Sequence, residues 1–294
     1  VWSKLPPEER TPRAILDGLD FDFFELLDSV TIARSRKHIQ NFYDTKDIGQ
    51  FPVRRKPISF HQPLSHQDGT MSFNDIFGLL TQIRMSVYAP VSYILTSRLQ
   101  KYEDMYDTKV GSKGTLRQAD REKSLQRLMT VNLLKRLESS VASFRLTLQS
   151  LRSSHLRTLD KIVNFRQVGG SISVGDHTEV LDELEGEDDD LLDIEQDTNI
   201  EGKVRINLAD MDLPRWQFDL GKDLEHIESL LDAMALITPE NDAKLQHLKA
   251  HVLEKIANPI NPGNGKVLIF TAFADTADYL YKNLAPALAE QKLH

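Results

Sequence analysis

Cysteine is absent from all 294 residues. Without a thiol there is no disulfide scaffold and no thiolate metal site, and such a chain suits a reducing cytoplasm. No apolar run approaches the ~20 residues that cross a bilayer, and nothing signal-like follows Val1. Aromatics make up only 7% of the chain, but hydrophobic residues make up 40%, enough for a real core. The expectation is a globular, cytoplasmic protein without a membrane partner, built as one large domain or two ordinary ones.

An overall excess of positive charge is also missing, since the formal net charge is −8. The total hides a division. Residues 1–178 hold 26 Lys and Arg against 19 Asp and Glu, whereas residues 179–294 hold 10 against 25. A basic half can present a positive surface to phosphates whatever the total says. Much of the acidic excess sits in Glu179–Glu201, which has Glu187-Asp188-Asp189-Asp190 at its centre and no Lys, Arg or aromatic. That composition predicts a mobile acidic loop at about 170–203, and its spacing does not match a calcium loop.

Catalytic motifs are lacking too. Gly111-Ser112-Lys113-Gly114 lacks the Gly-Lys-Ser/Thr ending of a phosphate loop, and in Gly265-Lys266 the next residue is Val267 in place of a hydroxyl. There is no nucleophile elbow, no Asp-Glu-x-His segment and no carboxylate pair that falls in an obvious cleft. His247 and His251 share a helix face at a spacing zinc can use, but no third ligand accompanies them. No metal site and no catalytic residue is expected.

What is present is helical periodicity. Asp20 starts an apolar repeat that ends in Arg34-Ser35-Arg36-Lys37-His38, cations placed either for the helix dipole or for phosphates. Val53–Phe60 reads as an edge strand, demoted by Pro57. Ser72 caps a helix through Ile83, and Pro90 interrupts before helix resumes over Val91–Tyr102. From Leu116 to Phe165 apolar residues recur every three or four positions without Gly or Pro. At about 1.5 Å per residue, a continuous helix of that length would reach ~75 Å, so a break near Ser153-Ser154 is predicted. Its polar face is basic, with Lys135, Arg136 and Arg145 among eleven cations, either a solvated surface or a nucleic-acid face. Helices follow over Asp219–Ile237 and, capped by Asn241 or Asp242, through Leu245 to Ile256.

The chain ends differently. After the breaker-rich Asn258–Gly265, Val267–Phe270 is an unbroken apolar run that reads as a strand buried on both faces. Asp275 follows as a cap, with Ala277, Leu280, Tyr281 and Leu284 at helical spacing. Lys-Val-Leu-Ile-Phe-Thr-Ala-Phe leading into this helix resembles the opening strand of the second RecA-like lobe in Swi/Snf-like, superfamily-two ATPases. Leu27–Pro63, with Arg34-x-Arg36 and Phe51-Pro52-x-Arg54, resembles the exit from the first lobe. Leu133-Leu134-Lys135-Arg136-Leu137-Glu138-Ser139-Ser140 with Phe144 resembles a segment between the lobes of the bacterial members. The three segments fall in the family's order.

The resemblance implies a mainly α fold of long helices with a small β component, ending in the first strand-helix unit of an incomplete α/β RecA-like lobe. Residues 1–65 would leave the first lobe, 66–240 would form the helical inter-lobe region, and 241–294 would begin the second lobe. ATP and magnesium would bind in parts of the protein outside this chain, leaving it inactive alone. Nucleic acid, double-stranded DNA first, and the missing lobes are the implied partners. The implied contacts are Thr271, Phe273, Lys135, Arg136, Arg145, Arg34 and Arg36. Thr271 capping a turn with Phe273 in the core is an equally open reading. So is a helical protein–protein interaction module with no motor role.

Overall fold

The computed structural model describes Ile39 and residues 56–110, 114–168, 173–174, 206–260 and 263–290. The chain falls into two compact units, Val1–Phe60 and His61–His294. In the first, Arg34 and Arg36, the predicted helix from Asp20 and residues 53–55 of the predicted edge strand lie outside the described residues. Residues 56–60 are irregular and exposed, not a strand; Pro57 has no N–H to donate, and no described strand lies beside them.

The second unit is mainly helical, with seven α-helices among the described residues: α1 (Phe73–Leu80), α2 (Thr96–Tyr106), α3 (Gln118–Ser139), α4 (Val141–Val168), α5 (Leu213–Ala235), α6 (Ala243–Ala257) and α7 (Ala274–Glu290). Two small antiparallel ladders accompany them. β1 (Thr108–Val110) pairs with β2 (Gly114–Leu116), and β3 (Ser173–Val174) pairs with β4 (Ile206–Asn207). The second ladder ties the end of α4 to the chain entering α5, on either side of the acidic segment.

Helix boundaries follow local chemistry. Ser72 caps α1 through a capping box: Asp75 N donates to Ser72 Oγ, and Ser72 N donates to the Asp75 carboxylate at 2.8 Å. Helix α1 stops at Leu80, and short 3₁₀ turns over Ser86–Tyr88 and Pro90–Tyr93 fill the space before α2. Helix α5 starts at Leu213, six residues ahead of the predicted Asp219, because Asp212 caps it and Pro214 occupies the first turn, where no N–H is needed.

The long periodic region breaks at Ser140 and not at Ser153-Ser154. Ser140 adopts extended φ −160°, ψ 151°, its N–H closes α3 on Arg136 O, and its Oγ accepts Ser143 N at 3.1 Å to open α4. Ser153 Oγ instead donates to Gln149 O, and Thr158 Oγ1 to Ser154 O, both 2.9 Å, bonds that an unbroken helix accommodates.

Helices α3, α4 and α5 then bury one apolar stripe each. Met129, Leu133 and Leu137 meet Phe144, Leu148, Leu151 and Ile162, and Trp216, Leu220, Ile227, Leu230 and Met234 close the third side. Each such side chain contributes roughly 1.5–3 kcal/mol by leaving water.

A polar knot crosses this core. Met85 is fully buried yet left-handed, at φ 55°, a conformation that costs of order 1–3 kcal/mol in a non-glycine residue. Asp223 of α5 holds it there: Arg84 N and Ser86 N each donate to the Asp223 carboxylate at 2.7 Å. His155 of α4 brings Nε2 to 3.5 Å from the same carboxylate, and its Nδ1 lies 2.9 Å from Leu151 O. Trp216 Nε1 donates to Ser86 O at 3.0 Å, and the Tyr93 hydroxyl donates to Asp219. Burial, with Asp219 beside it, pushes Tyr93 up to about 12.

Burial would raise the Asp223 carboxyl, but donors from His155, Ser86 and Arg84 together hold it below its ordinary value. A depressed carboxyl contributes stability that is present at neutral pH and is lost as pH falls through the lowered folded value. Asp223→Asn should destabilise the bundle by about 3 kcal/mol and remove that acid-sensitive component. Urea unfolding midpoints at neutral and acid pH check both.

Candidate functional site

Three of the residues singled out by the sequence, Arg136, Thr271 and Phe273, meet at the Ser140 elbow. Helix α3 brings Asn132, Arg136 and Ser139 there, α4 brings Ser143, and the turn into α7 brings Thr271, Phe273, Asp275 and Thr276. Arg136 is 6% exposed. Its Nε donates to Asn132 Oδ1 at 3.3 Å, and its Nη1 donates to Ser143 Oγ at 3.2 Å and to Asp275 Oδ2 at 2.7 Å. The guanidinium also lies over the Phe273 ring, 4.6 Å from the centroid. A buried cation is tolerable only when its donors are used, and this one is held by a carboxylate, an amide, a hydroxyl and a π-face.

Hydroxyl groups surround the ion pair. Thr276 Oγ1 lies 2.8 Å from Ser139 Oγ and 2.9 Å from Ser140 Oγ. Thr271 Oγ1 lies 3.3 Å from Ser139 Oγ and accepts Phe273 N, so this threonine caps the turn. Phe273 is 4% exposed and presents no free face to a base. Asp275 lies in the first turn of α7, where the helix dipole favours an anion as well as Arg136 does.

Helix α6 reaches the same place. Asp242 caps it by accepting Leu245 N at 2.9 Å, and its other oxygen accepts the Tyr279 hydroxyl of α7 at 3.0 Å. Burial, reinforced by Asp242, pushes the Tyr279 hydroxyl well above its usual range. Lys244 Nζ donates to the terminal carbonyls of α3, Glu138 O and Ser139 O, which places a cation at the negative end of that helix. Desolvation lowers the Lys244 ammonium despite the pull of Asp242 and Glu138.

No family model, curated protein or solved structure matches the chain.

Two of the remaining candidates stand apart from the buried cluster. Lys135 is half-buried on α3. Arg145 lines a groove of about 920 Å³ between α4, α5 and α7, shared with Arg152 and Lys282 and with Glu228, Asp232, Asp275 and Asp278. Anions outnumber cations in that lining, so Arg145 does not stand in a basic surface. His247 and His251 stack in parallel with ring centroids 6.4 Å apart, and no group of three or more metal-ligating side chains occurs among the described residues.

The preceding run departs from its predicted burial. Val267–Phe270 forms no ladder among the described residues, and Leu268 and Phe270 are 83% and 90% exposed. A strand acquires two buried faces only from neighbours and covering helices, and none of the described residues supplies them.

Sequence reasoning named Arg136, Thr271 and Phe273 but missed Asp275 as a partner and the hydroxyls of Ser139, Ser140 and Thr276. A signal existed. Arg136 stands three residues after Leu133 and one before Leu137, on the apolar stripe of α3, and a cation on such a stripe requires a buried acceptor. Arg136→Glu would put a second carboxylate beside Asp275 and should cost about 3 kcal/mol, whereas Arg145→Glu at the open groove should cost less than about 1 kcal/mol. Thermal unfolding followed by circular dichroism separates the two.

Proposed function

We propose that this chain is the helical connector of a Swi/Snf-like, ATP-dependent nucleic-acid translocase, holding the start of its second motor lobe against the inter-lobe helices. One observation carries the reading. The two sequence segments that resemble the family, Leu133–Ser140 and Lys266–Phe273, lie some 130 residues apart and meet where Arg136 covers the Phe273 ring and Ser139 Oγ lies 3.3 Å from Thr271 Oγ1. The exposed apolar run before α7 fits an inner strand whose sheet neighbours are not beside it.

On this reading the roles of the named residues divide. Arg136, Thr271 and Phe273 fix the geometry between inter-lobe helices and lobe, and Lys135 and Arg145 are the named candidates outside that cluster for phosphate contact. ATP and magnesium bind in the motor parts that this chain lacks, so catalysis is not assigned to any residue here. Fold-level analogy gives the mechanism: closing of two lobes on ATP is transmitted through a connector that must be stiff at its ends.

The chain should hydrolyse no ATP alone and should bind double-stranded DNA weakly. With about two phosphate contacts, affinity should fall roughly tenfold between about 50 and 200 mM salt. Fluorescence anisotropy with a labelled duplex measures this, and Lys135→Glu with Arg145→Glu should abolish it while the circular dichroism spectrum is retained. Absent or salt-insensitive binding by the folded chain overturns the nucleic-acid reading. A stable dimer in light scattering would favour a helical interaction module.

A further inference from the structure

We infer that α7 and the turn before it form a detachable arm, latched to the α3–α4 elbow by polar groups and able to undock while the helical body stays folded. Three independent observations converge on this.

The contiguous apolar core runs from Leu64 to Ile237 and takes in nothing later. Phe273, Leu284 and Ala287 are buried, but none of them belongs to that core. The arm therefore does not share the cooperative apolar contacts that unite α3, α4 and α5. Separating it exposes far less hydrophobic surface than opening the body would.

Polar bonds do the holding instead. The Arg136–Asp275 pair, the Ser139, Ser140 and Thr276 hydroxyls, and the Tyr279–Asp242 bond join the arm to α3, α4 and α6. Every one of these groups finds a replacement partner in water, so each contributes modestly to docking. The side chain of Asp275 is already 39% exposed. When the latch opens, Arg136 keeps Asn132 through Nε and Ser143 through the Nη1 that also meets Asp275, so the body does not inherit an orphaned cation.

A groove already separates the arm from the body. The cavity of about 920 Å³ has α7 on one wall, through Asp278, Tyr279 and Lys282, and α4 and α5 on the other. Beyond the elbow, α7 is not packed flat against the bundle. Releasing the latch would widen this wedge without breaking the α4–α5 contact.

Amide hydrogen exchange of the whole chain, followed by mass spectrometry, tests the inference. In the unaltered protein, peptides covering residues 274–290 should exchange faster than those covering α5. Asp275→Asn and, separately, the near-isosteric Thr276→Val should accelerate exchange in 274–290 about tenfold and leave α4 and α5 unchanged. Acceleration of α5 together with α7 would mean that the arm belongs to the cooperative core and would overturn the inference. An unchanged rate in α7 for both substitutions would overturn it equally, since the latch would then hold nothing.

Discussion

A fifty-residue repeat of apolar and basic positions cannot run straight through a compact unit, and the place where it folds back governs everything built on it. That place is Ser140. One residue in extended conformation ends α3 with its backbone N–H, starts α4 with its side chain, and offers the same hydroxyl to Thr276. Folding back lets the Leu133 and Phe144 stripes face one another. It also gathers the last carbonyls of α3 and the first turn of α4 into a polar concavity, into which Lys244, Thr276 and Asp275 fit.

Buried polar groups do two different jobs in this unit. At the Met85 turn, Asp223 accepts two backbone N–H groups beside a strained residue and approaches His155, all within the main core. Removing any member leaves the others without water, so that network reinforces cooperativity. At the elbow the ion pair lies at the edge of the core, with Asp275 partly in solvent. The same chemistry there gives register and orientation more than cohesion. Burial decides which role a carboxylate plays, and the two Asp residues differ mainly in that respect.

Helical periodicity, the Ser72 and Asp242 caps and the mainly α class were all legible in the chain, because each rests on interactions within four residues or on spacing that one face of a helix enforces. The break was misplaced because both serine pairs look alike until the tertiary partner is known; Ser153 satisfies itself within its own helix, whereas Ser140 has Thr276 to meet. Arg136 reads as a surface cation in sequence because its partner lies 139 positions away. Charge counting treats every cation on a helix as solvated. The pattern of Leu133, Arg136 and Leu137 says otherwise, and it was available without coordinates.

Val267–Phe270 turns on the same distinction between pattern and context. Its apolar residues declare what surroundings it suits, and its exposure shows which of those surroundings the described residues lack. The starts of the two helices around it are settled: Asp242 caps α6, and the distant Arg136 pairs with Asp275 in the first turn of α7. A segment of four apolar residues left without regular structure between two finished helices has no local reason to be apolar. No contact among the described residues explains its composition, whereas the elbow residues are explained by contacts among them. On the proposed motor reading, the connector completes its own joint at the elbow and leaves this run for the lobe that it carries.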